Sequence, residues 1–216
     1  MTTGKGGGAG HNQTDCHTSE MEVPMPEKTE NANHQARIAF VGYMEFDNGA
    51  AYRGAILVTD DWGKPLEFRC TAPVKPNAVQ RTLYGQTLMP HILVELIGVP
   101  LLQAVQEKPV VIAIQDGLFF DLRHKTDTAV VRLRRQGSDV KLRGDDEGDK
   151  AKPVLMASES GKFDPIVMEA HWQFAGDIDF CQDRLRELFG RWDLVEPFER
   201  LSKGLEYVHQ QKVLAG

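Results

Sequence analysis

Four carboxylates have the types and positions of metal ligands. Glu45 and Asp47 lie where the first apolar run ends, Glu95 sits within a helical pattern, and Asp116 follows the continuous apolar run PVVIAI. Ligand sites of open α/β sheets form at the carboxyl ends of strands, and Asp116 stands at such an end. Converging carboxylates offer hard oxygen donors suited to one or two Mg²⁺ or Mn²⁺ ions. An ion held there polarises a phosphodiester and activates water. Each acid also has a simpler reading. Asp116 turns the chain with Gly117, Asp47 does so with Asn48-Gly49, and Glu95 faces solvent.

A second group is basic: Arg123, His124 and Lys125, then Arg132, Arg134, Arg135, Lys141 and Arg143. In AVVRLRR, Arg132 and Arg134 fall on one strand face, with Val131 and Leu133 on the other. With Lys141 from a pairing strand, such a face would contact phosphates. Against this stand Asp145, Asp146, Glu147 and Asp149, which repel phosphate, and the lack of interleaved aromatic residues. A solvated outer face or a charge-protected edge is the plainer reading.

Nucleophilic chemistry finds little support. His91, His124, His171 and His209 are isolated in sequence, and no GxSxG elbow accompanies Ser158, Ser160 or Ser202. Cys70 falls on the apolar face of a strand and reads as core. Cys181, in the first turn of a helix, has the position of a thiol with lowered pKa, but with no base in reach it is not expected to be a nucleophile. GKGGGAG (Gly4 to Gly10) has its lysine before the glycines and no leading strand, so it is not a phosphate loop. His11, Cys16 and His17 lack a fourth ligand and a framework.

The elements that must position these residues follow from hydrophobic pattern. Residues 37–46, 52–59 and 65–71 read as three antiparallel strands, separated by Asp47-Asn48-Gly49 and by Asp60 to Lys64. Asn77 caps a helix whose apolar positions run from Val79 to Ile97, kinked by Pro90. Residues 109–114 form a strand covered on both faces. Leu118 to Leu122, Ala129 to Arg135, Val140 to Arg143, Val154 to Ala157 and Pro165 to Phe174 are further strand candidates. Asp179 is the expected cap of a helix from Phe180 to Phe189, and a last helix runs from about Asp193 to Gln211. The fold class is α+β or mixed α/β, with a β-β-β-α-β core, further strands and two C-terminal helices. Residues 1–34 are expected to be a disordered tail, since their composition cannot offset ordering entropy. Residues 35–216 are expected to form one globular domain.

With 216 residues, 25 Lys+Arg and 31 Asp+Glu, the chain carries a net charge of −6, which excludes bulk electrostatic coating of nucleic acid. No membrane span or signal-peptide core is evident, so no membrane partner is expected. Three scattered cysteines fit a reducing, cytoplasmic setting.

In order of elements the chain resembles the ribonuclease H-like nucleases, and endonuclease V within them, where three strands, a helix and a fourth strand carry scattered acidic ligands. VELIGVPLLQAVQEKPVVIAIQDG looks like that family's glutamate-to-aspartate stretch, which maps onto Glu95 and Asp116. The resemblance also implies an aspartate within the first strand. Here that strand reads Val41-Gly42-Tyr43, with acids only at its edge.

Two expectations result. Because no catalytic set is complete, the first is a non-catalytic cytoplasmic module acting through a protein partner or self-association. An exposed apolar stripe on the C-terminal helices would then be its contact surface. The second is a divalent-metal nuclease using Mg²⁺ or Mn²⁺, with Glu95 and Asp116 as ligands, Asp47 or Glu45 completing the set, and Arg132, Arg134 and Lys141 on nucleic acid.

Overall fold

The computed structural model describes residues 37–138 and 152–214 together with Met1, and the side chains of residues 212–214 are not described. The expected tail, the expected strand Val140 to Arg143, and Lys141 lie outside the described residues. The strands and helices all belong to one compact unit, His34–Gly216.

Seven strands form one mixed sheet: β1 (Ile38–Phe46), β2 (Ala51–Thr59), β3 (Pro65–Cys70), β4 (Val111–Ile114), β5 (Ala129–Arg135), β6 (Val154–Met156) and β7 (Ile166–Ala170). Their spatial order is β3-β2-β1-β4-β5-β7-β6. β1, β4 and β5 run parallel at the centre, and antiparallel pairs flank them on both sides. This is the mixed α/β class that hydrophobic patterning implied. The β1–β2 turn holds because Asp47, Asn48 and Gly49 all adopt positive φ (54°, 54° and 79°), which Asn, Asp and Gly tolerate best.

One face is covered by α1 (Ala78–Ala104), a composite helix. Its start is fixed by a capping box: the Asn77 side chain accepts the Gln80 amide at 2.8 Å, and the Gln80 side chain accepts the Asn77 amide at 2.9 Å. Asn77→Ala should cost about 1 kcal/mol. The midpoint of thermal unfolding should fall by roughly 2–4 °C. Pro90 and Pro100 each remove a helical donor, and between them Ile92–Gly98 takes π-helical hydrogen bonding. By length and composition α1 reaches membrane-spanning apolarity. Its apolar residues Ile92, Leu93, Val94 and Ile97 are buried in the cluster that it shares with the sheet.

The opposite face packs α2 (Gly176–Arg191) and α3 (Glu196–Leu214). Phe40, fully buried, meets Phe198 edge-on at 5.4 Å and Trp192 at 6.1 Å. Leu185, Leu188, Phe189, Leu194, Leu201 and Leu205 are buried in the same cluster. The stripe considered as a partner surface is therefore spent on the protein's own sheet.

Two local expectations are corrected. Leu118 to Leu122 is not a strand but part of a 3₁₀ helix, Gly117–Lys125. Asp116 caps it by accepting the Leu118 amide at 2.9 Å. Three residues per turn then bring Phe119 and Leu122 onto one buried side. Nor does Asp179 cap α2. The helix starts at Gly176, which leaves Asp177 and Asp179 within its first turn.

Candidate functional site

The parallel register of β1 with β4, Val41 opposite Ile114, places Tyr43 beside Asp116 at the carboxyl end of the sheet. The Tyr43 hydroxyl donates to Asp116 Oδ2 at 3.3 Å, while Oδ1 takes the Leu118 amide. Burial raises the Tyr43 pKa, and the charges of Asp116 and Glu45 raise it further. The phenol therefore stays neutral, and negative potential from two carboxylates gathers around it. Alternation along β1 sets Tyr43 and Glu45 on the same face. Among the described residues, no basic side chain forms an ion pair with Glu45 or Asp116.

The other two acids point elsewhere. Asp47 pairs with Lys75 at 3.1 Å and lies 3.7 Å from His209 Nε2. The Lys75 hydrogen bond holds its carboxyl below the usual range. Glu95 pairs with Lys125 at 2.9 Å. The four sequence-nominated acids thus do not form one cluster in this arrangement. Asp116 alone accepts from the Tyr43 hydroxyl, Glu45 lies on the same strand face, and Asp47 and Glu95 are held by exposed ion pairs.

The basic face also differs from expectation. Arg132 is buried, and both it and Arg134 reach Glu169, each at 3.1 Å. Neither is a solvated side chain, because the neighbouring strand β7 supplies a carboxylate at the paired position Arg132 opposite Glu169. Cys181 is corrected as well. It is fully buried, and burial pushes its thiol up to about 12, so it is not an activated nucleophile.

The histidines scattered in sequence are not all isolated in space. His209 stacks on Phe46 with ring centres 3.9 Å apart. His124 and His171 meet edge-to-face at 4.9 Å, with His171 Nε2 3.5 Å from Asp121 Oδ1. Among the described residues this trio alone brings three His, Cys, Asp or Glu ligand atoms together, all within 4.8 Å of one another. Burial first, then the nearby His124, lower the His171 pKa. The i, i+3 spacing of Asp121 and His124 could have flagged them on a 3₁₀ helix, but a strand reading puts them on opposite faces.

No protein family and no curated protein matches this chain. Solved structures do. Endonuclease V from Streptomyces avermitilis aligns over 83% of this chain and 83% of its own, with a TM-score of 0.51 and 12% identity. The fold is endonuclease V-like. Human endonuclease V aligns over 80% of this chain and 87% of its own, with a TM-score of 0.36 and 12% identity. Endonuclease V of Ciona intestinalis, in complex with a 23-mer DNA containing an inosine, aligns over 67% of this chain and 76% of its own, with a TM-score of 0.36 and 13% identity. The Streptomyces alignment runs against the expectation of a non-catalytic protein-interaction module, since the fold is the one seen in that endonuclease V. The protein partner expected with that module has no support either.

Proposed function

We propose that the protein is a divalent-metal-dependent nuclease whose ion sits at the carboxyl ends of β1 and β4. The observation that carries this reading is the placing of Asp116 at the carboxyl end of β4, held by the Tyr43 hydroxyl and the Leu118 amide, with Glu45 on the same face of β1 and no cation paired to either acid among the described residues. Uncompensated carboxylates at a strand-end crevice attract a hard cation.

The donor set fits such an ion. Asp116 and Glu45 supply carboxylate oxygens, which suit Mg²⁺ or Mn²⁺. Glu95 would join from α1 by leaving Lys125, and Asp47 by leaving Lys75. Both ion pairs are exposed, with side-chain exposures of 42–44% at Glu95–Lys125 and 43–59% at Asp47–Lys75. Exposed pairs contribute little and exchange readily. When bound, the ion would polarise a phosphodiester and lower the pKa of water. Tyr43, in the strand within which the family resemblance calls for an aspartate, adds no charge. Its donated hydrogen bond orients Asp116, whose other oxygen is held by the helix cap. The chain's own part is thus to fix one carboxylate rigidly and to keep the others exchangeable.

Thermal unfolding tests this reading. Saturating Mn²⁺, at 100 times its dissociation constant, stabilises a fold by about 2.7 kcal/mol. For a domain of this size the midpoint should rise by roughly 5–10 °C. The rise should vanish in Asp116→Asn and shrink in Glu45→Gln. The native chain with Mn²⁺ should cut inosine-containing DNA, and Asp116→Asn should not. No shift and no cleavage at saturating metal would overturn the reading.

A further inference from the structure

We propose that Asp121, His124 and His171 form a second metal site, specific for a zinc-class divalent ion and independent of the acids at Asp116. The site lies at the other end of the sheet. Asp116 follows the carboxyl end of β4, whereas His171 follows β7, which runs antiparallel to β5 and ends beside the start of that strand.

The geometry approaches what the ion needs. Zinc holds nitrogen and oxygen ligands at about 2.0–2.2 Å in a tetrahedron, so neighbouring ligand atoms lie roughly 3.3 Å apart. His171 Nε2 and Asp121 Oδ1 already stand 3.5 Å apart, and the set of three spans no more than 4.8 Å. Three residues per 3₁₀ turn align Asp121 with His124 on one side of that helix. Two imidazoles with one carboxylate favour a transition ion over Mg²⁺ or Ca²⁺, which take oxygen ligands.

The surroundings hold the donors in place. His171 is buried and lies against Trp172, with ring centres 5.6 Å apart, and both its ring and that of His124 contact Phe174. Arg123, between the two donors on the 3₁₀ helix, is tied to Asp177 at 2.7 Å and lies over the Phe174 ring. The other side faces water, because Asp121 and His124 are exposed. Three protein ligands with an open fourth position are the pattern of an exchangeable zinc site. His171 Nδ1 accepts the Gln173 amide at 3.2 Å, which leaves the ring proton on Nε2. An ion at Nε2 displaces that proton to Nδ1, at the loss of this one long hydrogen bond.

The full chain should be titrated with Zn²⁺ by calorimetry and with Co²⁺ by visible absorption. Binding of one ion at this site with the intense bands of four-coordinate Co²⁺ is expected. His124→Ala, a change at an exposed position, should weaken Zn²⁺ by more than the roughly 10–100-fold that loss of a supporting partner costs. His171→Gln should do the same. Asp116→Asn and Glu45→Gln should leave Zn²⁺ affinity unchanged, which separates this site from the proposed nuclease ion. Absence of Zn²⁺ binding would overturn the proposal. So would equal affinity in the native chain and both histidine variants, which would place the ion elsewhere.

Discussion

Gly54→Ala is expected to destabilise the protein by about 3 kcal/mol, near the upper end of overpacking costs. The unfolding midpoint should fall by roughly 6–12 °C. Gly54 lies in β2 under the π-helical turn of α1, opposite Tyr43 of β1. A Cβ added there would stand 2.0 Å from Ile97 Cγ2 and 3.3 Å from the Gly42 carbonyl oxygen. Ile97 is fully buried in a packed cluster and cannot swing away. Pairing Gly54→Ala with Ile97→Ala removes the clashing methyl. The two changes should then cost less together than the sum of each alone, the signature of direct contact. Gly190→Ala is the control. It lies inside α2 with nothing within 4 Å of the added carbon, so the better helix former should leave stability unchanged or raise it by up to about 1 kcal/mol. A midpoint for Gly54→Ala equal to that of the native chain would mean that α1 does not seat on the sheet as described.

Asp177→Ala is the second large effect, a loss of about 2–4 kcal/mol read from denaturant or thermal unfolding. The carboxylate serves two partners. Oδ2 accepts from Arg123 Nε at 2.7 Å and from the Val130 amide at 3.1 Å. Both charged side chains are largely buried, at 18% and 11% exposure. Removing one member of a buried pair leaves the other charge uncompensated and costs about 3–5 kcal/mol when burial is complete. The residual exposure reduces that figure. Asp177→Asn keeps an oxygen for the Val130 amide and should lose less. Replacing Arg123 by Met together with Asp177→Ala should recover part of the loss, because the orphaned cation is then gone. The same pair ties the 3₁₀ helix to the start of α2. Asp177→Ala should therefore also weaken Zn²⁺ at Asp121, His124 and His171 while sparing the Mn²⁺ response of Asp116.

The strands of the first half were legible because their signals are local. Alternation, β-branched runs and the turn Asp47-Asn48-Gly49 act within a few residues, and β1 to β4 stand within about two residues of the expected bounds. The capping box at Asn77 is likewise written in four consecutive residues. Leu118 to Leu122 misled because a short apolar run fits a strand or a helix equally well. What decided it was the Asp116 cap and the surface offered by Gly98, where Leu122 packs too closely for any larger residue.

By itself, the sequence determined the order and type of the main elements, the acidic balance, and the nomination of Glu45, Asp47, Glu95 and Asp116 as oxygen donors. It also pointed to a nuclease-like succession of strands and helix, while the incomplete acidic set argued for a module without catalysis. Only the tertiary structure decided which charges face one another. Parallel register set Tyr43 against Asp116, a neighbouring strand gave Arg132 and Arg134 their carboxylate, and burial silenced Cys181. It also joined His171 to Asp121 and His124, 47 to 50 residues away in the chain. The physical reason is range. Backbone preference is settled between near neighbours, whereas ion pairs, metal ligands and pKa values depend on distances across elements that no local spacing encodes.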